Sequence, residues 1–434
     1  MAREGARGDE PLSSLLLEGD ALQKGFRRVP EGPASIEALR RDARERFAAL
    51  GFPTPRDEAW RYTSVAPILK TRFAETAPSS PPTLEEMGLS FLLELSPTLV
   101  RDGRCEPRSG VTSLARALGS SEVEGVLGHV VSFRDDAFAA LNTAFVEDGA
   151  LVRIPRKSIA SSPVVVVHGT SSGRISHPRT LVVAEEGSEG TLIEIYASRP
   201  GEVSFTNAVT EVVLREGASL DLVRVQAQSE AAFHVERLGI AQARASRIRC
   251  RNFVLGSALF RSDIVARFEG PGGELDLDGL FLARGSQHMD TSTRIIHAEP
   301  HCTSREVYKG ILSGRARGIF QGTILVEKAA QKTDAQQTNR NLLLSRGALV
   351  NSIPRLEILA DDVKCKHGSA TGRLDPNALF YLRARGLDEH EAERVLVSAF
   401  GQDLVQKVRT DALRLWLTGQ LGSRLGRTGE EDEA

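Results

Sequence analysis

The sequence predicts a mainly β protein in which a long core of stacked strands is flanked by a helical unit at each end. Three observations carry that prediction. Short alternating apolar runs fill the chain after Gly149, turn signals recur within them every 27 or 28 residues, and helical periodicity is confined to the regions before Asp136 and after Asn377.

The first unit, residues 1–135, is read as helical. From Leu12 to Leu50 apolar residues follow a helical pattern, with Ile36, Leu39, Ala43, Phe47 and Leu50 spaced three or four apart on one stripe. Pro53 and Pro55 end that helix, and the polar, proline-rich stretch from Thr76 to Pro82 reads as a linker or surface loop.

The core, residues 136–375, holds alternating runs such as Thr191 to Ile195 and Leu220 to Val225, each introduced by a turn. Turns at Gly190, Gly217, Ala245 and Gly273 set the period, which matches one coil of a β-helix. A single coil cannot bury its inward side chains, so coils must stack and each strand pairs with those above and below. The register fades between Gly273 and Gly347, which leaves a β-sandwich open as an alternative.

The last unit, residues 376–434, is helical again. Ala392, Val395, Leu396, Ala399, Phe400, Leu404, Val405 and Val408 form an apolar face, and Asp388, Glu389 and Glu391 suit the positive end of the helix dipole. That face serves either core packing or a partner's docking. Glu430 to Glu433 form an acidic tail expected to be disordered.

Composition narrows the function. With 55 Lys and Arg against 57 Asp and Glu in 434 residues, the chain offers no field for gripping nucleic acid or an anionic membrane. The N-terminus MAREGARGDE lacks the apolar run of a signal peptide, and the longest aliphatic stretch, Val164 to Val167, is too short to cross a bilayer, so a cytoplasmic protein is expected. Cys105, Cys250, Cys302 and Cys365 are scattered without a C-x-x-C pair, which argues against a disulfide framework or a structural zinc site and for reduced thiols.

Three strings invite chemistry. Gly169-Thr170-Ser171-Ser172-Gly173 matches a nucleophile elbow, but such an elbow opens into a helix, whereas Pro178 and β-branched residues follow. His297, His301 and Cys302 offer metal-ligand chemistry, yet Pro300 disfavours a helix there, and residues four apart on a strand lie about 13 Å from one another. Cys302 then reads as a small core residue. Cys365 and His367 share one face of a strand, so thiol and imidazole can approach one metal or sulfide together; a buried thiol beside a hydrogen-bonded histidine is the plainer reading. No G-x-x-x-x-G-K-[ST] loop is present, and the glycines at Gly270 do not complete a dinucleotide fingerprint, so ATP chemistry must reside elsewhere.

Four stretches resemble the SufB/SufD family of the SUF iron-sulfur cluster assembly system. They are PRDEAWRYT from Pro55, DAFAALNTAF from Asp136 followed by Asp148-Gly149, Gln331-Lys332-Thr333-Asp334 through Asn339, and KCKHGSATGRLDPNALFYLRARGL from Lys364. The resemblance is to the SufD type, because WRYT belongs to that branch and K-C-x-H-G stands in place of the V-E-H-E of SufB-type chains, with Gly368 where those carry a carboxylate. Ser345 to Ile353 also lacks the cysteine that SufB-type scaffolds place there.

The resemblance implies a right-handed parallel β-helix and a non-catalytic scaffold without a permanent cofactor. It implies a SufB-like partner at the end of the β-helix and a SufC-like ATPase docked on the helices around Ala392, Val395, Leu396, Ala399 and Phe400. ATP-driven closure would strain the seam, and a transient iron-sulfur cluster would meet His367, with Cys365 beside it, at a site shared across a hetero-oligomer. A homodimer acting without SufB is the alternative within the family. A β-helix enzyme acting on polysaccharide is the alternative outside it, and the aromatic platforms such grooves need are scarce in a chain with 2 Trp and 4 Tyr.

Overall fold

Aliphatic and β-branched residues at every second position build two facing ten-stranded sheets in the computed structural model, which describes residues 32–73, 80–108 and 110–425. The start of the predicted Leu12 helix, most of the proline-rich linker and the acidic tail lie outside the described residues. The first sheet contains β1 (Thr98–Arg101), β2 (Arg104–Glu106), β5 (Val164–Gly169), β8 (Glu189–Ala197), β10 (Ser219–Ala227), β12 (Arg247–Val254), β14 (Glu274–Ala283), β16 (Thr303–Leu312), β18 (Asp334–Leu343) and β20 (Lys364–Gly372). The second contains β3 (Val111–Ser113), β4 (Ala150–Ile154), β6 (Ile175–Ser176), β7 (Arg179–Ala184), β9 (Phe205–Leu214), β11 (Phe233–Gln242), β13 (Leu259–Phe268), β15 (His288–His297), β17 (Arg317–Val326) and β19 (Leu349–Ile358).

From β7 to β20 successive strands alternate between the sheets and every pairing is parallel, so the chain winds as a solenoid of about eight coils. The two sheets face each other as in a sandwich; the strand-by-strand alternation is what makes the architecture a β-helix.

One corner of the solenoid is a column of left-handed residues: Lys157, Gly187, Gly217, Ala245, Gly272, His301 and Lys332, at intervals of 27 to 31 residues. Each donates its backbone N–H to a carbonyl of the next coil, as Gly217 does to Arg244 at 2.9 Å and Lys332 to Asp362 at 2.7 Å. Gly347 lies at the opposite corner, against Gly314, and this is why the turn signal fades between Gly273 and Gly347: the column continues there on His301 and Lys332, which carry no glycine mark.

Inward positions stack coil upon coil. Leu192, Leu222, Cys250 and Leu277 are in register and fully buried. Elsewhere the interior is ionic. Arg224 donates to Glu194 at 2.8 Å and, through both terminal nitrogens, to Glu236 at 3.0 and 2.9 Å, while His168 and His234 flank the two carboxylates at 3.3 and 3.0 Å. Burial pushes Glu236 up, but the Arg224 charge and the hydrogen bonds of His234 and Ser262 pull it down to about 2. Against the same burial, Arg224 and His168 hold Glu194 well below the usual carboxylate range.

Helix α1 (Ala34–Leu50) buries Ile36, Ala43 and Phe47 of its predicted stripe, while Leu50, its last residue, is exposed. Short helices α2 (Ala66–Lys70), α3 (Leu114–Ala117) and α4 (Ser121–Glu124) precede α5 (Ala137–Ala144). Strands β1 to β3 also precede residue 136, so this part of the chain joins both sheets: β1 runs parallel to β5 and β3 antiparallel to β4. Trp60 seals the joint. Its indole lies under the Arg261 guanidinium at 4.9 Å and 5.3 Å from Phe138, and the Thr63 hydroxyl reaches His288 at 2.9 Å.

Among the described residues three helices follow β20: α6 (Pro376–Ala384), α7 (Glu389–Val405) and α8 (Asp411–Leu425). Asp388 forms a capping box with Glu391 that fixes the start of α7. Val397, Leu404, Val408, Leu417 and Leu421 pack on Leu280, Leu282 and Ile311 of the first sheet's outer face.

Candidate functional site at the open end of the solenoid

The column that begins with Leu192 and Leu277 changes character over the last three coils. In register, Glu306 is followed by Gln337 and then by His367. Glu306 and Gln337 are buried, and Gln337 Nε2 donates to Glu306 Oε2 at 2.6 Å. With only hydrogen bonds to oppose it, burial pushes the Glu306 carboxyl up to about 7. His367 is exposed because, among the described residues, no further coil covers β20.

Among the described residues, strand β20 pairs with β18 alone and β19 with β17 alone, so the last coil presents two unpaired strand edges. The Ser369 hydroxyl donates to that of Ser352 at 2.8 Å and ties the two edges together across the interior. Cys365 shares the inward face with His367 as the spacing predicts, but the two differ in setting. Cys365 is half-buried against the apolar core beside Val363 and Leu356, and burial, helped by Asp334, raises its thiol above the usual value. Burial thus favours the neutral thiol over the thiolate at this position.

The residues predicted for docking on α7 divide. Ala392 is fully buried within the chain, whereas Leu396 and Phe400 are half-buried. The Lys309 ammonium lies 5.0 Å from the Phe400 ring and donates to Asp403 at 2.8 Å, so Phe400 belongs in part to the joint with the first sheet. Val395 and Ala399 face outward, Val395 with 46% of its surface exposed. Next to them α6 buries none of its residues and exposes Phe380 and Tyr381.

The other strings fall apart in space or into the scaffold. Ser171 donates to Asp102 at 2.7 Å and the chain runs on into β6 with no helix behind the serine, as its context predicts. His297 is buried and bonded to Ser304 at 2.9 Å, burial pushing it down to about 4; His301 occupies the corner column; and Cys302 is buried, donating to the Gly270 carbonyl. Among the described residues no cluster of three His, Cys, Asp or Glu side chains could hold a metal ion. No described helix is long and apolar enough to cross a membrane.

Glu306 and Gln337 were not singled out by motif. Stepping back from His367 one coil at a time, by 30 residues to Gln337 and by a further 31 to Glu306, finds them, so the coil period is the signal that points to them.

A parallel β-solenoid with helices at both ends and an open last coil is the class of fold, and sequence comparison assigns the family. Residues 166–400 match the model described as SUF system FeS cluster assembly, SufBD core domain, and the chain belongs to that family. Within it the chain is of the SufD type. It is 28% identical to the iron-sulfur cluster assembly protein SufD of Escherichia coli over 95% of this chain and 99% of that one. It is 30% identical to the protein of that name from Bacillus subtilis over 65% of this chain and 66% of the relative. A SufBD family protein of Synechocystis is 29% identical over 86% of this chain and 88% of its own length.

Proposed function

We propose that this chain is a non-catalytic scaffold subunit of the iron-sulfur cluster assembly machinery, which joins a SufB-like scaffold chain through its last coil and carries a SufC-like ATPase on its C-terminal helices. The observation that carries this reading is the open end: two long, unpaired edges beside an exposed imidazole. An exposed edge is a template for another chain's strands, and folds that do not use their edges cover or charge them. Pairing there would enclose His367 and Cys365 at a seam, where imidazole and thiolate suit iron and sulfide.

ATP hydrolysis then belongs to the docked partner, whose closure would strain the seam and open the site. The cluster is transient cargo of the complex, and a reducing cytoplasm suits a chain whose four cysteines are free thiols. Neither nucleic acid nor membrane has a part in this reading.

The test is His367→Ala in cells that depend on this chain for cluster assembly. Because His367 is exposed, the variant should fold and co-purify with its partners while cluster-enzyme activity falls at least tenfold. Full assembly in that strain would remove His367 from the function.

A further inference from the structure

One buried polar atom beneath His367 has no hydrogen-bond partner among the described residues: Oε1 of Gln337. The Gln337 side chain is 1% exposed and its nitrogen is already committed to Glu306 at 2.6 Å, so the amide cannot turn without losing that bond. Its place is made by Gly322 on the facing strand, where an added Cβ would lie 2.3 Å from Gln337 Nε2. The amide is thus gripped on two sides, and its carbonyl oxygen is the group left over. A buried carbonyl without a donor is costly and uncommon in native proteins.

The residue paired with Gln337 in the next coil, on the same inward face, is His367. His367 carries an imidazole N–H that can serve as the missing donor. We propose that Gln337, tethered by Glu306, is a positioning residue for His367: its free carbonyl oxygen accepts the imidazole N–H and turns the other ring nitrogen, with its lone pair, toward the open end. A ligating histidine commonly donates its second N–H to such a carbonyl, which fixes the tautomer and raises the basicity of the ligating nitrogen. The use made of that lone pair rests on the proposed function above; the orientation itself does not.

Imidazole 15N NMR of the full chain, labelled at its 9 histidines and assigned with His367→Ala, tests the proposal. In the wild type one tautomer of His367 predominates. Gln337→Met, which keeps the volume but removes the acceptor, lowers that bias by about three- to tenfold, the range spanned by one net hydrogen bond. Glu306→Gln, which keeps an oxygen for the Gln337 amide, preserves the bias, whereas Glu306→Leu loses it. The remaining histidines report whether each variant is folded. Unchanged His367 shifts in a folded Gln337→Met chain, or no tautomer preference in the wild type, would overturn the assignment. A lost bias with undiminished cluster assembly in cells would leave the positioning role standing and count against the proposed function instead.

Discussion

Arg224→Met is the sharpest probe of how the solenoid is held together. Arg224 is 3% exposed and is the shared cation between two carboxylates, Glu194 and Glu236, that are themselves buried. Methionine fills much of the same space but leaves both carboxylates facing an apolar side chain. Removing one partner of a buried pair costs about 3–5 kcal/mol, since the remaining carboxylates are cut off from water and keep only their hydrogen-bonding neighbours, His168 and His234 among them.

The pH signature is more telling than the size. In the wild type Glu236 is held down to about 2, so its contribution is complete above the ordinary carboxylate value and is lost as pH falls toward 2. Without Arg224, burial dominates and both carboxyls rise. The native variant then binds more protons than its unfolded chain and loses stability as pH increases. Urea unfolding at pH 5 and pH 8 reads both effects: the variant should be weaker than wild type at both values, and markedly weaker at pH 8. A loss below about 1 kcal/mol, or an equal loss at the two pH values, would refute the assignment of Arg224 as the cation that keeps these carboxylates charged.

Two further substitutions separate the ends of the molecule. The Glu306 carboxyl, raised to about 7, favours the folded state below the unfolded carboxylate value and loses that advantage as pH rises through 7, so Glu306→Gln should be more stable than wild type at pH 8, by on the order of 3 kcal/mol, with little difference at pH 4; urea midpoints at the two pH values decide it. Val395→Asp places a charge on the outward face of α7, where folding should change by less than about 1 kcal/mol, while affinity for the ATPase partner, followed by calorimetry, falls by tenfold or more.

The repeat was legible where the corner turns are marked by glycine and became faint where His301 and Lys332 adopt the same left-handed conformation. Residue type there no longer reports backbone geometry, although the inter-coil hydrogen bonds persist. Alternation likewise announced the strands but not the ionic interior. Glu194, Arg224 and Glu236 occupy inward positions that a pattern of apolar and polar residues assigns to solvent; the coil register brings Glu194 to Arg224, and the facing of the two sheets brings Glu236 to it. The strands at 98–113 were missed because they are short and take their place from β4 and β5, which follow them in sequence.

At the candidate site, the shared face of Cys365 and His367 followed from strand geometry alone. That one is half-buried and the other exposed did not, because it depends on where the stack of coils stops. The stripe on α7 was recognisable as a stripe, but its division into Ala392 packed inward and Val395 turned outward is set by the first sheet beneath it.

Hydrogen exchange of the backbone amides of β19 and β20, with and without a SufB-like chain, tests the central claim most directly. Amides on the unpaired edges should exchange freely in the isolated chain and slow by at least a hundredfold when the second scaffold is added, while the corner column is unaffected. Protection that appears only on the C-terminal helices, with both edges still exchanging freely in the complex, would contradict the account.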